Sequence, residues 1–172
     1  MKAVGSHSPL FGIVQSVHKP HISATQRAEL PDSAELERLL DAALAEDLGA
    51  GDLTSDPLFP ADAWASGRLV AKSPGVLAGL EVFGRTFTRL DPRVKLQALV
   101  DEGGRLEPGA RVCELEGPAR ALLSGERTAL NFVQRLSGIA TLTSRFVAAA
   151  KGVRILDTVS YTHLTLPTNR EV

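Results

Sequence analysis

The chain has 172 residues, a mass of 18.3 kDa and 44% hydrophobic residues, enough for one core but not for two full domains. Lys and Arg number 19 against 20 Asp and Glu, and the resulting charge of -1 argues against a nucleic-acid binder held by a basic surface. The single cysteine excludes an internal disulfide framework and an all-cysteine metal site, no apolar run reaches the ~18 residues of a membrane span, and the N-terminus lacks a secretory apolar core. A small cytoplasmic protein with neither nucleic-acid nor membrane partners is expected.

Residues 1–31 place Gly, Ser, His and Pro at close intervals without a sustained period and read as a loose leader. Pro9, Pro20 and Pro31 disfavour helix there, and Leu10–Val17 has room for a short strand. Asp32 with Glu35 three residues on is a capping-box signature. Leu36, Leu39, Leu40, Ala43, Leu44 and Leu48 then recur at three- and four-residue spacing as one apolar helical face, which Gly49 ends. Gly49 to Pro57 is a turn-rich polar loop. Ala65 to Leu77 is strand-like but broken at Pro74-Gly75, which predicts two short strands.

Leu80 to Leu90 carries Val82, Phe83, Phe87 and Leu90 at helical spacing. Val94, Leu96 and Ala98 alternate with Lys95, Gln97 and Leu99, as in a half-buried strand. Asp101 to Gly109 reads as a loop, and Ala110 to Leu115 as a strand in which the lone Cys113 is a buried hydrophobe. Leu122 to Ala150 forms one helix, or two joined near Ser124-Gly125. Its apolar face comprises Ala129, Leu130, Phe132, Val133, Leu136, Ile139, Ala140, Phe146 and Val147. Arg127, Asn131, Gln134, Gly138, Thr141 and Arg145 run along the other side, facing either solvent or a site or partner. A mid-helix Gly138 fits the second alternative, because it lets another backbone come close. Val153 to Asp157 predicts a short strand, and Val159 to Val172 has no helical face and no clear partner.

Two blocks carry a resemblance. Ser124-Gly125-Glu126-Arg127-Thr128-Ala129-Leu130-Asn131 followed by Gln134-Arg135-Leu136-Ser137-Gly138-Ile139-Ala140-Thr141 resembles nicotinate-nucleotide pyrophosphorylase, also called quinolinate phosphoribosyltransferase. The Glu46-Asp47-Leu48-Gly49 and Gly51-Asp52-Leu53-Thr54-Ser55 segments and the Lys72…Gly75-Val76…Gly79 segment are similar to the same family and fall in its order. The resemblance spans about residues 35–158. It implies an α/β fold: an N-terminal α+β domain followed by the long helix and the first strand of a truncated α/β barrel. The corresponding division is a leader (1–31), an N-terminal domain (32–118), linking helices and first barrel strand (119–158), and a non-family tail (159–172).

The family's reaction joins quinolinate to 5-phosphoribosyl 1-diphosphate, with Mg²⁺, in NAD biosynthesis. It releases diphosphate and carbon dioxide and gives nicotinate mononucleotide, in a head-to-tail homodimer whose sites are completed by the neighbouring N-terminal domain. Both substrates are anionic, and arginine offers carboxylates a planar donor fork. The resemblance therefore makes Arg127 the substrate-binding residue, reaching quinolinate in the neighbouring subunit, with Glu126 and Asn131 supporting the helix and the dimer contact. A molybdenum-transport-associated paralogue shares much of the helix motif, and a non-catalytic dimerising module is the third reading.

The pattern departs after Asp157-Thr158, where the family continues Arg-Lys-Thr and this chain has Val159 and Ser160. A barrel needs roughly 250 residues, so no complete catalytic set is expected in these 172 residues, and the 172-residue chain is expected to be inactive. The tail resembles translated linker sequence, which leaves His163 without a role. His18 and His21 are spaced to seat a metal, but neither their surroundings nor His7 supports one, and no metal site is assigned. Glu46 and Asp47 point about 100° apart on a helix and make a poor chelate, while Asp52 is expected to bind backbone amides in its loop.

Overall fold

The structure is a computed structural model that describes residues 34–49 and 59–150, together with the backbone of the strands Phe11–Ser16, Leu156–Thr158 and Asn169–Glu171. Its centre is a pair of eight-residue antiparallel strands, β2 (Trp64–Ala71) and β6 (Arg111–Pro118). β1 (Phe11–Ser16) adds to the free edge of β2, and β4 (Lys95–Ala98) to that of β6, giving an open antiparallel sheet in the order β1-β2-β6-β4.

Side chains alternate across this sheet. The pairs Ala65–Gly117, Gly67–Leu115 and Leu69–Cys113 share one face, and Trp64, Ser66, Arg68, Glu114 and Glu116 take the other. The register shifts between Leu69 and Val70, where Val112 is the extra residue, so neighbouring Val112 and Cys113 are both buried.

Two helices complete the core. α2 (Leu80–Leu90) contributes Phe83 and Phe87, stacked edge to face with ring centroids 5.1 Å apart. α3 (Ala119–Ala149) contributes Leu122, Ala129 and Val133, which join the phenylalanines, Leu69 and Leu115 in one hydrophobic cluster. α3 is a single helix that starts at Ala119, three residues before the expected Leu122, directly after Pro118, whose extended backbone (φ -55°, ψ 128°) makes it the N-cap. Gly125 does not break it. A Cβ there would lie 2.8 Å from Phe87 Cδ1 and 3.0 Å from Leu90 Cδ1, so the missing side chain is what lets α2 and α3 touch. A Cβ on Gly138 would meet nothing within 4 Å among the described residues, so no element of the described part approaches it closely.

α1 (Ala34–Leu48) packs Leu40 and Leu44 inward and ends at Gly49, whose φ of +52° suits glycine. Its expected cap at Asp32 lies outside the described residues. Leu39 departs from the expected face and is 53% exposed. Glu37 and Asp41, one turn apart on α1, meet Arg85 and Arg89, one turn apart on α2. The Arg89–Asp41 pair is bidentate, with Nε and Nη2 each 2.7 Å from a carboxylate oxygen.

The segment after Pro74 forms β3 (Gly75–Val76), which pairs with β5 (Arg105–Leu106) inside the region predicted to be loop. A two-residue strand has no periodicity to read. Leu106 is fully buried and anchors it. α3 grips this segment with hydroxyls: Ser137 Oγ accepts from Ala78 N at 3.0 Å and donates to Ala78 O at 3.1 Å, and Thr141 Oγ1 accepts from Val76 N at 2.9 Å. Thr141 thus faces the chain's own backbone. Beyond Leu136 the predicted apolar face is uncovered among the described residues, with Ile139 52%, Phe146 61% and Val147 43% exposed. β7 (Leu156–Thr158) and β8 (Asn169–Glu171) form a two-stranded antiparallel sheet, which gives residues 169–171 a pairing partner.

Candidate functional site

The last turn of α1 carries Glu46 and Asp47 but no basic residue. Carboxylates there oppose the partial negative charge of the helix C-terminus, at a typical cost of about 0.3–1 kcal/mol each. Asp47 has a compensating partner on α3. Its Oδ1 accepts a hydrogen bond from Arg127 Nη1 at 2.8 Å, and its Oδ2 accepts one from Thr128 Oγ1 at 3.2 Å. The carboxylate is largely enclosed, its side chain 18% exposed, and Thr128 is buried. Arg127 is 77% exposed, so the guanidinium is tied at one nitrogen while most of the side chain stands in water. An ion pair of that exposure contributes only about 0.2–1 kcal/mol to stability, and such a pair is poorly explained as a fold staple.

Asn131 lies one turn along α3 from Arg127 and is likewise exposed, so these two expected site residues share a helical face. Glu126 lies about 100° round the helix from Arg127 and is half-buried, and burial pushes its carboxyl above the ordinary range. Arg127 and Asn131 are exposed, while Glu126 is half-buried on an adjoining face of the helix. Sequence reading passed over Asp47 and Thr128 as site residues. Asp47 stands 80 residues from Arg127, and no local spacing announces that contact.

Other candidates separate cleanly. Cys113 is buried, and desolvation pushes its thiol up to about 12, the state of a core residue and not of a nucleophile. His7, His18, His21, His163 and Asp52 lie outside the described residues. Among the described residues no group of three or more His, Cys, Asp or Glu converges as a metal centre.

The recognisable helix is thus split in role: Gly125 and Ser137 pack, while Arg127 points outward. A family model, "Quinolinate phosphoribosyl transferase, N-terminal domain", matches residues 52–137 and so covers half of the chain. The chain belongs to the quinolinate phosphoribosyl transferase family. Within that family it is 42% identical over 126 residues to a probable nicotinate-nucleotide pyrophosphorylase [carboxylating] of Bacillus subtilis, covering 72% of this chain and 43% of that protein. A chloroplastic nicotinate-nucleotide pyrophosphorylase of Arabidopsis thaliana is 35% identical over 162 residues, covering 88% of this chain and 47% of the relative. The crystal structure of NadC from Streptococcus pyogenes superimposes with a TM-score of 0.66 at 43% identity, over 68% of this chain and 42% of that one. The chain therefore spans less than half the length of these relatives. All the site residues on α1 and α3 fall inside or just before the N-terminal-domain match.

Proposed function

We propose that this chain is the N-terminal, substrate-presenting part of a nicotinate-nucleotide pyrophosphorylase. The whole protein would join quinolinate to 5-phosphoribosyl 1-diphosphate, forming nicotinate mononucleotide, diphosphate and carbon dioxide. In this reading 32–118 is the N-terminal domain, whose sheet β1 (Phe11–Ser16) extends at one edge, α3 runs across the join, and Leu156–Thr158 belongs to the first barrel strand. Arg127 serves the neighbouring subunit of a head-to-tail homodimer, and Glu126 and Asn131 support the helix at that contact. Residues 159–172 are read as lying outside the family pattern.

The observation that carries the reading is the posture of Arg127: an exposed guanidinium anchored by one nitrogen, on the helix that bears the family's motif. Quinolinate is a dicarboxylate, and a guanidinium fork matches a carboxylate in both charge and shape. What Arg127 does in such a site is bind and orient, which lowers the entropic part of the barrier. The described residues do not fit a resident Mg²⁺, because they assemble no cluster of acids or histidines and Asp47 is already committed to two donors. In the whole protein Mg²⁺ would come with 5-phosphoribosyl 1-diphosphate, and what Arg127 contributes is its guanidinium.

The test is Arg127→Ala in the whole protein, read as kcat/KM for quinolinate with thermal melting as the folding control. Removing one side of an enclosed, hydrogen-bonded charge pair typically costs about 3–5 kcal/mol. That is roughly a hundredfold to several thousandfold at 1.4 kcal/mol per tenfold. An exposed, non-binding arginine gives about 0.2–1 kcal/mol at most. A loss below about fivefold with an unchanged melt removes Arg127 from the active site.

A further inference from the structure

We infer that Asp47 is a positioning residue, holding the Arg127 guanidinium by one end so that the remaining donors of its fork are presented to a substrate carboxylate. The inference rests on the proposed role of Arg127 and adds the residue that prepares it.

Three features of the contact point this way. The first is asymmetry of enclosure: Asp47 is 18% exposed and Arg127 77%, so the anion is fixed in the fold and the cation is held out from it. The second is the anchoring of the anion. Thr128, buried and next to Arg127 on α3, donates its hydroxyl to Asp47 Oδ2 at 3.2 Å, which orients the carboxylate and leaves Oδ1 for the arginine. The third is the number of bonds. Arg89 and Asp41, which tie α1 to α2, use Nε and Nη2 together, each at 2.7 Å. Asp47 takes only Nη1 of Arg127, and among the described residues the other donors of that fork take no hydrogen bond. A pair that served only to tie α1 to α3 gains from engaging the whole fork, whereas a pair that serves a ligand must leave part of it open. Holding a flexible arginine in one orientation before the substrate arrives reduces the ordering cost of binding.

The experiment uses the whole protein with Asp47→Asn, Thr128→Val, Arg127→Ala and the Asp47→Asn/Arg127→Ala double variant. Asp47→Asn keeps the shape and an acceptor but removes the charge that holds the guanidinium. It is expected to raise KM for quinolinate by about tenfold or more while kcat and KM for 5-phosphoribosyl 1-diphosphate stay within about twofold, the signature of lost ground-state binding. Thr128→Val should move KM in the same direction by a smaller factor. In the Arg127→Ala background Asp47→Asn should change KM no further, because its effect passes through the arginine. The ¹⁵N relaxation of the Arg127 Nε–H group, in ligand-free protein, should show a drop in order when Asp47 becomes Asn.

An unchanged order for Arg127 in Asp47→Asn overturns the proposal, as does the same fold-loss from Asp47→Asn with and without Arg127. A loss above about a hundredfold for Arg127→Ala with less than about twofold for Asp47→Asn overturns the positioning role and leaves Arg127 in the site. A loss below about fivefold for Arg127→Ala overturns the substrate reading itself, and with it the purpose assigned to Asp47.

Discussion

At the scale of single residues, one buried side-chain polar atom among the described residues lacks a hydrogen-bond partner. Glu81, in the first turn of α2, has a carboxylate oxygen shut off from water with no hydrogen-bond partner among the described residues. The nearby amides it might have used are taken, since Gly79 N and Leu80 N both donate to the Glu102 carboxylate, which caps α2 from 22 and 23 residues away. Burial pushes the Glu81 carboxyl above the ordinary range; Arg85 pulls it down and Glu102 pushes it further up. A raised pKa in the fold means that protonation favours folding. The stabilisation is complete below the ordinary carboxylate value and is lost as pH rises through the raised one. Glu81→Gln should therefore melt higher than the parent near pH 7 and match it near about pH 4. Melting curves at the two pH values check this, and a variant that melts lower at neutral pH contradicts it.

At the scale of elements, the α3–β3 contact is built from hydroxyls meeting backbone. Ser137 is fully buried and satisfies both polar groups of Ala78, and Thr141 satisfies Val76 N while bonding to Ser137 O at 2.6 Å. Ser137→Ala leaves a half-buried N–H and C=O without those partners; a fully buried pair would cost about 1–3 kcal/mol, and this one costs toward the lower end. The expected result is a melt lower by several degrees, at the roughly 2–8 °C per kcal/mol usual for domains of this size. Hydrogen exchange at Ala78 should quicken with it. Unchanged exchange at Ala78 would show that another group takes over the contact. The α1–α2 junction behaves differently, because Arg89 and Asp41 are exposed and salt screens them.

At the scale of the whole molecule, the proposed head-to-tail dimer makes a prediction that no single subunit can. If Arg127 acts in trans, mixing full-length Arg127→Ala with a variant damaged only in its own barrel-side basic residues restores part of the activity. Each hybrid dimer holds one intact site and one doubly damaged site. Subunit exchange is confirmed by mass spectrometry, and quinolinate-dependent carbon dioxide release is measured on the mixture. A large loss in Arg127→Ala with no rescue in confirmed hybrids keeps Arg127 in the site and refutes the trans arrangement. The exposed apolar residues Ile139, Phe146 and Val147 on the far half of α3 show that this helix is not fully covered by the described residues.

What the sequence determined by itself was local or carried by motif. The periodicity of Leu80–Leu90 and the Pro74-Gly75 break read out correctly because a helix's 3.6-residue repeat and a proline's missing donor are properties of the chain alone. The family was legible too, because its motifs lie contiguously along α3. Arg127 could be proposed as a substrate contact for the same reason. Tertiary structure alone decided the rest: which leucines of α1 are inside, that Gly125 is where α2 and α3 touch, and that β5 exists at all. It also decided that Asp47, set aside as half of a poor chelate, faces Arg127 across 80 residues. Such contacts depend on how α1, α2 and α3 pack, and packing is set by the shapes of surfaces far apart in the chain, which no local period encodes.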